Sequence, residues 1–313
     1  MRVRLGTLSV ALSSEDSPLL TAWEQLFAGW HTDDGAALQL TLRLADELPR
    51  PPDGAPLFAD PRGIVDVYGA GDSRILHFHS GAMVTLGASH AGGIITTVAL
   101  EHGQLEDVTY TALAPLLRTR GYYLLHAFAA SLHGRAVLLC GGSGSGKTTT
   151  GASLLLGGWQ LLANDVVLLE RRAGRVYALP TPAPVRVRPP TLFLLPALRH
   201  RPGRPHAATG SYIFAGEAIA GRGWGQPAPV EALYFTRVAS GARHSSLQPL
   251  QQAIALAHLV EESVDRWDGQ ALDAHLALLH DLAQQAAIHR LHLGADVGEL
   301  PALLAPAAQT EES

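Results

Sequence analysis

Short runs in which apolar and polar residues alternate predict that the first part of the chain is rich in strands. Val3, Leu5 and Thr7 alternate with arginine and glycine, a pattern typical of a half-buried strand. Comparable runs occupy 37–44, 63–68, 73–78, 82–86 and 94–100. One early helix is predicted at 17–30, where apolar residues recur with helical spacing. We therefore expect a strand-rich N-terminal region of unknown role at 1–118.

Beyond this region, strand patterns are interspersed with longer helical patterns from 119 to 305. Strands are predicted at 121–131, 135–140, 159–162, 166–170, 230–238 and 289–293. Helices are predicted at 110–118, 148–156, 248–264, 269–287 and 300–304. An apolar stripe that includes Ile254 is expected to face the core. The segment 199–225, rich in arginine and glycine, is predicted to be a mobile loop, and 306–313 is predicted to be a disordered tail.

Composition narrows the class of protein. Hydrophobic residues make up 47% of the sequence and charged residues 16%, so globular folding is expected. The formal net charge of −5 gives no reason to expect nucleic acid or a membrane surface as a partner, and the chain is compatible with a homo-oligomer. The single cysteine, Cys140, excludes an internal disulfide and fits a reducing, cytoplasmic compartment. No apolar run approaches the roughly 18 residues of a membrane span.

A glycine-rich segment after the predicted strand 135–140 has the spacing G-x-x-x-x-G-K-T of a phosphate-binding loop, or P-loop. Glycines let consecutive backbone N–H groups turn toward a polyphosphate, and the lysine adds a positive charge. Thr148 places a hydroxyl where the motif binds Mg²⁺, at the positive end of the predicted helix. The predicted nucleotide-binding residues are Gly141, Gly142, Ser143, Gly144, Ser145, Gly146, Lys147, Thr148 and Thr149.

A P-loop alone occurs in kinases, GTPases, transporter ATPases and helicases, so other residues must indicate the reaction. The sequence has neither the Asn-Lys-x-Asp guanine-binding motif nor the Ser-Gly-Gly-Gln signature of transporter ATPases. His77, His79 and His90 lack a visible carboxylate or cysteine pattern that would make them metal ligands. We interpret these three histidines as surface or core residues.

Three segments together resemble the C-terminal catalytic domain of HPr kinase/phosphorylase and its kinase relatives. They are Leu124-Leu125-His126-Ala127, the P-loop segment, and Leu162-Ala163-Asn164-Asp165. The resemblance covers about 120–304 and implies an α/β fold with mixed sheets, related to ATP-dependent phosphoenolpyruvate carboxykinases. It implies that 119–305 is a catalytic domain that uses ATP and Mg²⁺. The expected reaction is phosphorylation of a serine or other hydroxyl on a protein, a peptide or a small metabolite.

The resemblance gives catalytic roles to Asp165, His126 and Lys147. Asp165 matches the second of the family's paired acids and is expected to act as general base and to share Mg²⁺ binding with Thr148. His126 is expected to reach the phosphates, with a hydrogen-bonded core histidine as the alternative because its neighbours are apolar.

The sequence departs from the family at Asn164, where the family has the first paired acid. An amide can orient a metal-bound water but carries no charge. A second hypothesis is therefore a nucleotide-binding regulatory module with reduced catalysis. A third is a decarboxylating carboxykinase, which requires more metal ligands and substrate-binding arginines than the sequence allows us to place.

Overall fold

The computed structural model describes residues 1–71, 73–269 and 272–305. The predicted disordered tail at 306–313 lies outside the described residues. Helices and mixed sheets build the whole of the described chain, so the α/β class predicted from the sequence is confirmed at this coarse level.

The chain divides into two compact units. The first contains Met1–Leu124 and Val264–Leu272, and the second contains Leu125–Ser263 and the chain from Asp273 onward. A short segment of the C-terminal half thus belongs to the first unit, which a linear division of the sequence does not reveal.

The first unit is built on one large sheet. Its strands are β1 Arg2–Leu5, β2 Leu8–Ser13, β3 Leu38–Ala45, β4 Phe58–Ala59, β5 Val65–Ala70, β6 Ser73–Phe78, β7 Ala82–Leu86 and β8 His90–Thr96. Among the described residues they lie in the order β1-β2-β3-β8-β7-β6-β5-β4. The sheet is mixed because β2, β3 and β8 run parallel and the other neighbours antiparallel. Its helices are α1 Ser17–Leu26, α2 Thr97–Glu101 and α3 Leu105–Arg118.

Alternation along β1 places Val3 and Leu5 in the core, where both are 0% exposed, and confirms the predicted N-terminal strand. The predicted strand 94–100 is wrong in its second half. Strand β8 ends at Thr96, whose hydroxyl accepts the N–H of Ala99 at 3.2 Å and caps α2. A threonine in this position favours a helix start over continued strand.

Arg118, at the end of α3, forms a buried ion-pair network within the first unit. Its Nε lies 3.1 Å from the Asp265 carboxylate, and its Nη2 lies 2.5 Å from the Asp268 carboxylate. The side chains of Arg118 and Asp265 are each 1% exposed. Burial raises the pKa of Asp265 to about 6, while the guanidinium of Arg118 opposes this rise. The network fastens the segment that contains Asp265 and Asp268 to α3.

We expect Arg118→Met to destabilise the first unit by about 3–5 kcal/mol, because Asp265 is left buried without its cation. A carboxyl whose folded-state pKa lies above its unfolded value stabilises the fold in its protonated form, and this contribution is lost as pH rises through the folded pKa. In the wild-type protein, the contribution of Asp265 to stability is lost between pH 3.8, the ordinary pKa of the carboxyl, and about pH 6, its pKa in the folded state. Loss of the Arg118 guanidinium raises the folded-state pKa of Asp265 further. The stability lost in Arg118→Met should therefore be larger at about pH 8 than at about pH 5.

Hydrogen exchange of peptides from the first unit, measured in urea at both pH values, tests this expectation. The matched control is Arg120→Met, which changes an exposed arginine two residues away. A deficit independent of pH, or an equal deficit in the control, contradicts the role of the buried network.

The second unit begins at Leu125, the last residue of strand β9 (Tyr122–Leu125). Its strands are β10 Ala127–Leu132, β11 Arg135–Cys140, β12 Gln160–Ala163, β13 Val167–Arg172, β14 Arg175–Leu179, β15 Val185–Val187, β16 Gly203–His206, β17 Ser211–Phe214, β18 Ala228–Val238, β19 Ser246–Pro249 and β20 Ala287–Leu293. The helices are α4 Lys147–Leu156, α5 Pro189–Leu194, α6 Gly216–Ala220, α7 Gln252–Glu261, α8 Leu272–Gln285 and α9 Leu300–Leu303. Short 3-10 helices occupy Pro196–His200 and Val297–Glu299.

The main sheet of this unit places β11 at its centre. Strands β12, β10, β11 and β18 are neighbours in that order, and β18 also pairs with β14 and β20. Strand β11 runs parallel to β18, whereas β10 runs antiparallel to both β11 and β12. Phe128, Val137 and Leu139 of the sheet share a buried core with Ala152 and Leu155 of α4. A smaller sheet has the order β15-β17-β16.

The predicted strand 121–131 and the predicted loop 199–225 are corrected by the structure. The long strand is interrupted at His126, whose N–H donates to the carbonyl oxygen of Glu262 at 2.8 Å. The segment predicted as a mobile loop contains β16, β17 and α6. The arginines and glycines of this segment led to the loop prediction, but Phe214 and Ile219 lie in the core at 2% and 0% exposure.

The expected core face of α7 is also wrong. Ile254 is 41% exposed, whereas Ala255 and Leu259 are buried. The helix is apolar on several sides, so periodicity alone did not identify the face that packs. In the described part of the chain, no helix combines the length and the apolar character needed to cross a bilayer.

Candidate functional site

The glycine-rich segment connects the end of β11 at Cys140 to the start of α4 at Lys147. Gly141, Gly144 and Gly146 have φ values of 138°, 80° and 101°, a region that residues with a side chain rarely adopt. A Cβ on Gly146 would also overlap the side chain of Leu293. The predicted order of strand, loop and helix is therefore present, and glycine is required by the backbone. Phosphate binding by this loop stays a prediction.

Lys147 is nearly buried, at 6% exposure. Its ammonium donates to the carbonyl oxygen of Gly141 and lies 3.4 Å from that of Gly142, so the side chain folds back over the start of its own loop. Of the 23 lysine and arginine residues in the sequence, Lys147 alone is a lysine. This distribution favours a role that depends on a compact ammonium and not on the planar fork of arginine.

The hydroxyl groups around the loop differ in their hydrogen-bond partners. Ser145 Oγ lies 2.9 Å from Thr236 Oγ1 on β18, which ties the loop to the neighbouring strand. Thr149 Oγ1 lies 2.7 Å from Thr191 Oγ1, so this predicted nucleotide-binding residue has a structural partner. Thr148 is partly exposed, and no described residue hydrogen-bonds its hydroxyl.

The register of the sheet brings three predicted segments to one edge. Ala127, the first residue of β10, pairs with Cys140, the last residue of β11, and β12 ends at Ala163 opposite Ala129. Because β10 is antiparallel to both neighbours, its beginning lies beside their ends. His126, the glycine-rich loop and the Asn164–Asp165 pair therefore leave the sheet at the same edge.

Asn164 and Asp165 form a small hydrogen-bonded group at this edge. The amide nitrogen of Asn164 donates to the Asp165 carboxylate and to the carbonyl oxygen of Pro184, each at 3.1 Å. Asn164 is 1% exposed, and its amide oxygen has no hydrogen-bond partner among the described residues. Asp165 is half-buried and is not ion-paired with Lys147 in the described part of the chain. The amide thus holds the carboxylate in place.

Glu262 is a further candidate residue, and the sequence did not reveal it. Its carboxylate lies 2.7 Å from His126 Nδ1, and its carbonyl oxygen accepts the backbone N–H of His126 at 2.8 Å. The side chains of His126 and Glu262 are 29% and 11% exposed. A carboxylate on Nδ1 fixes the orientation of the ring and leaves Nε2 to act on another group. No local sequence motif predicts this pair, because the two residues are 136 positions apart.

The pKa of the Cys140 thiol is affected by charged residues near the loop. Burial raises the pKa of its thiol to about 12, with Glu262 adding to the rise and Lys147 opposing it. A buried thiol with a raised pKa is a poor nucleophile. Both charged groups therefore lie within electrostatic range of the end of β11.

Comparison with known proteins gives little further information. No family model matches the chain, and no curated protein matches it. Among solved structures, the chain is similar to an Hpr(Ser) kinase/phosphatase from Coxiella burnetii, with 11% sequence identity and a TM-score of 0.28. The similarity covers 57% of this chain and 89% of that one. A likeness of this strength assigns neither a reaction nor a site residue to this chain.

Proposed function

We propose that the chain is an ATP-dependent kinase that transfers the γ-phosphoryl group to a serine or other hydroxyl of a protein, peptide or small metabolite. The observation that carries the proposal is the sheet edge shared by His126, the glycine-rich loop and Asp165. Phosphoryl transfer depends on positioning, charge neutralisation and one base aligned on the attacking oxygen. An imidazole, an ammonium and a carboxylate at one edge are the groups that this chemistry uses.

The backbone of the loop, Lys147 and Asp165 have distinct roles in the proposal. ATP supplies the phosphoryl group when bound. Backbone N–H groups of the loop and the start of α4 bind its phosphates, and Lys147 exchanges its carbonyl contacts at Gly141 and Gly142 for phosphate oxygens. Asp165 accepts the proton of the acceptor hydroxyl as that oxygen bonds to phosphorus, and the bond from phosphorus to the departing ADP oxygen breaks.

The oxygen donors at this edge fit Mg²⁺, which prefers hydroxyl, carboxylate and water ligands. Thr148 and Asp165 would hold the ion, which supplies neutralisation of phosphate charge when bound. The buried amide oxygen of Asn164 has no hydrogen-bond donor among the described residues. An ordered water commonly supplies a hydrogen bond to a buried acceptor of this kind.

Incubation with ATP labelled in the γ-phosphate tests the proposal. Free serine and serine-containing peptides are offered as acceptors, with water as the reference. We expect Mg²⁺-dependent release of the γ-phosphate and faster transfer to a fitting hydroxyl. Tight ATP binding without turnover with any acceptor contradicts the kinase and supports the regulatory module.

The His126–Glu262 pair predicts non-additive effects of substitution. We expect His126→Gln and Glu262→Gln each to slow phosphoryl transfer by about 10-fold to 100-fold, because Glu262 acts by orienting the imidazole. The double variant should be no slower than His126→Gln alone, as is typical of residues that act as a unit. Steady-state rates of all four proteins measure this, and multiplicative losses contradict the coupling. Glu261→Gln, which changes an exposed neighbouring carboxylate, is the control.

One observation favours the regulatory module as a second candidate. The Asn164 amide stands beside Asp165 where a second carboxylate would be expected in a kinase of the resembled family, and its nitrogen is bonded to Asp165. On the regulatory account, Asn164→Asp creates transfer activity that the wild-type chain lacks. On the kinase account, the variant gains nothing, because it loses the hydrogen bond that positions Asp165.

A further inference from the structure

A second group of chemistry-bearing side chains lies in the first unit, on the hairpin of β5 and β6. Asp66 is the cross-strand partner of His77. His79 follows β6, and its N–H donates to the carbonyl oxygen of Ile64 at 3.1 Å, which extends the ladder. Because side chains alternate along a strand, His77 and His79 fall on one face together with Asp66. The carboxylate that the sequence did not associate with these histidines comes from the neighbouring strand.

The three side chains have the spacing of a metal site. One potential ligand atom from each lies within 4.8 Å of the other two. His79 Nε2 is 2.8 Å from Asp66 Oδ2, and the ring centroids of His77 and His79 are 5.8 Å apart. Ligands held at about 2.0–2.2 Å by a tetrahedral ion are about 3–3.5 Å from one another. Small side-chain rotations therefore suffice to direct all three at a common point.

His77 provides an independent observation. Its Nδ1 is buried and finds no hydrogen-bond partner among the described residues, an uncommon state for a buried polar atom. A metal ion bound at Nδ1 would supply the missing partner, because an imidazole nitrogen binds Zn²⁺ through its lone pair.

We propose that Asp66, His77 and His79 bind one divalent transition-metal ion of the Zn²⁺ type. Two imidazoles and one carboxylate favour such an ion, whereas Mg²⁺ prefers a shell of oxygen ligands. Three protein ligands leave a fourth tetrahedral position open to water. The ion would link β5 to the end of β6 within the first unit.

Another group of similar composition, His244 with Asp296 and Glu299, serves as a comparison. Ser245 already donates to the Asp296 carboxylate through its N–H at 2.8 Å and its hydroxyl at 2.6 Å. His244 is 79% exposed. This group has an internal hydrogen-bond explanation and supplies a control variant.

Calorimetric titration of Zn²⁺, and separately of Mg²⁺, into the chelator-treated full chain tests the proposal. We expect one Zn²⁺ site that Mg²⁺ does not fill. Asp66→Asn, His77→Gln and His79→Gln should each weaken Zn²⁺ binding at least about tenfold. His90→Gln, at an exposed histidine of the same sheet, and His244→Gln should leave the affinity unchanged.

A measurement on the wild-type chain avoids any variant that fails to fold. Histidine modification by diethylpyrocarbonate is mapped by mass spectrometry with and without Zn²⁺. We expect Zn²⁺ to protect His79, whose side chain is 44% exposed, and to leave His90 reactive. Zn²⁺ binding no tighter than Mg²⁺ binding, wild-type affinity in any of the three ligand variants, or unprotected His79 overturns the proposal. The His79–Asp66 contact is then an ion pair only.

Discussion

Replacing Lys147 by methionine is expected to slow Mg²⁺-dependent phosphoryl transfer about 100-fold to 1,000-fold. A preorganised charge aimed at the reacting phosphate commonly contributes this much in a water-excluded site. Lys147 is 6% exposed, so methionine preserves the volume of the stem while removing the ammonium. ATP affinity should fall as well, because the same charge binds the nucleotide before reaction.

Calorimetry and single-turnover assays with labelled ATP measure both effects. Lys147→Arg is the informative companion, because it keeps the charge but replaces a compact ammonium with a planar fork. We expect it to recover little activity. Full activity in Lys147→Met, with an unchanged melting temperature, contradicts the assignment of this lysine to the phosphates.

Replacing Asp165 by asparagine is expected to slow transfer about 100-fold to 10,000-fold, the range that a general base contributes. The substitution preserves shape, and its larger effect should fall on turnover because Asp165 acts on the acceptor hydroxyl. Some loss of Mg²⁺ affinity is also expected, since Asp165 is a proposed ligand. A rate constant for turnover that matches the wild-type value excludes Asp165 as the base.

Two comparisons separate the general-base role from simple disruption. Asp273→Asn makes the same chemical change at an exposed position of α8 and should have no effect. Asp165→Glu keeps a carboxylate at this position and should retain more turnover than Asp165→Asn, because the base is preserved. Equal turnover in the two variants contradicts the assignment.

The parts of the fold that local chemistry determines were predictable from the sequence. The strand at 135–140, the glycine turn and the following helix are predicted by a short continuous apolar run, by positive φ requirements and by the spacing of the glycine motif, each a property of a few neighbouring residues. The interruption at His126 was not predictable, because the carbonyl that ends the strand belongs to Glu262. The network of Arg118 with Asp265 also depends on residues far apart in sequence.

The same distinction applies to the candidate site. The glycine-rich loop is a contiguous motif, so spacing alone located it. The carboxylate that orients His126 belongs to Glu262, which is distant in sequence and lies in no recognisable sequence motif. The sequence contains one further signal: Lys147 is the sole lysine of a chain that otherwise uses arginine. A single ammonium in such a sequence favours a position with a specific chemical requirement.

That sole lysine permits a direct measurement of the central claim that Lys147 binds the phosphates of ATP. In an acyl-phosphate derivative of ATP, a lysine amine beside the phosphates attacks the acyl carbonyl, and the nucleotide leaves as its phosphate anion. Mass spectrometry then identifies the acylated residue. The account predicts acylation of Lys147 that excess ATP prevents, with the amino-terminal amine unaffected by ATP. Acylation of Lys147 that persists in excess ATP, or acylation confined to the amino terminus, contradicts it.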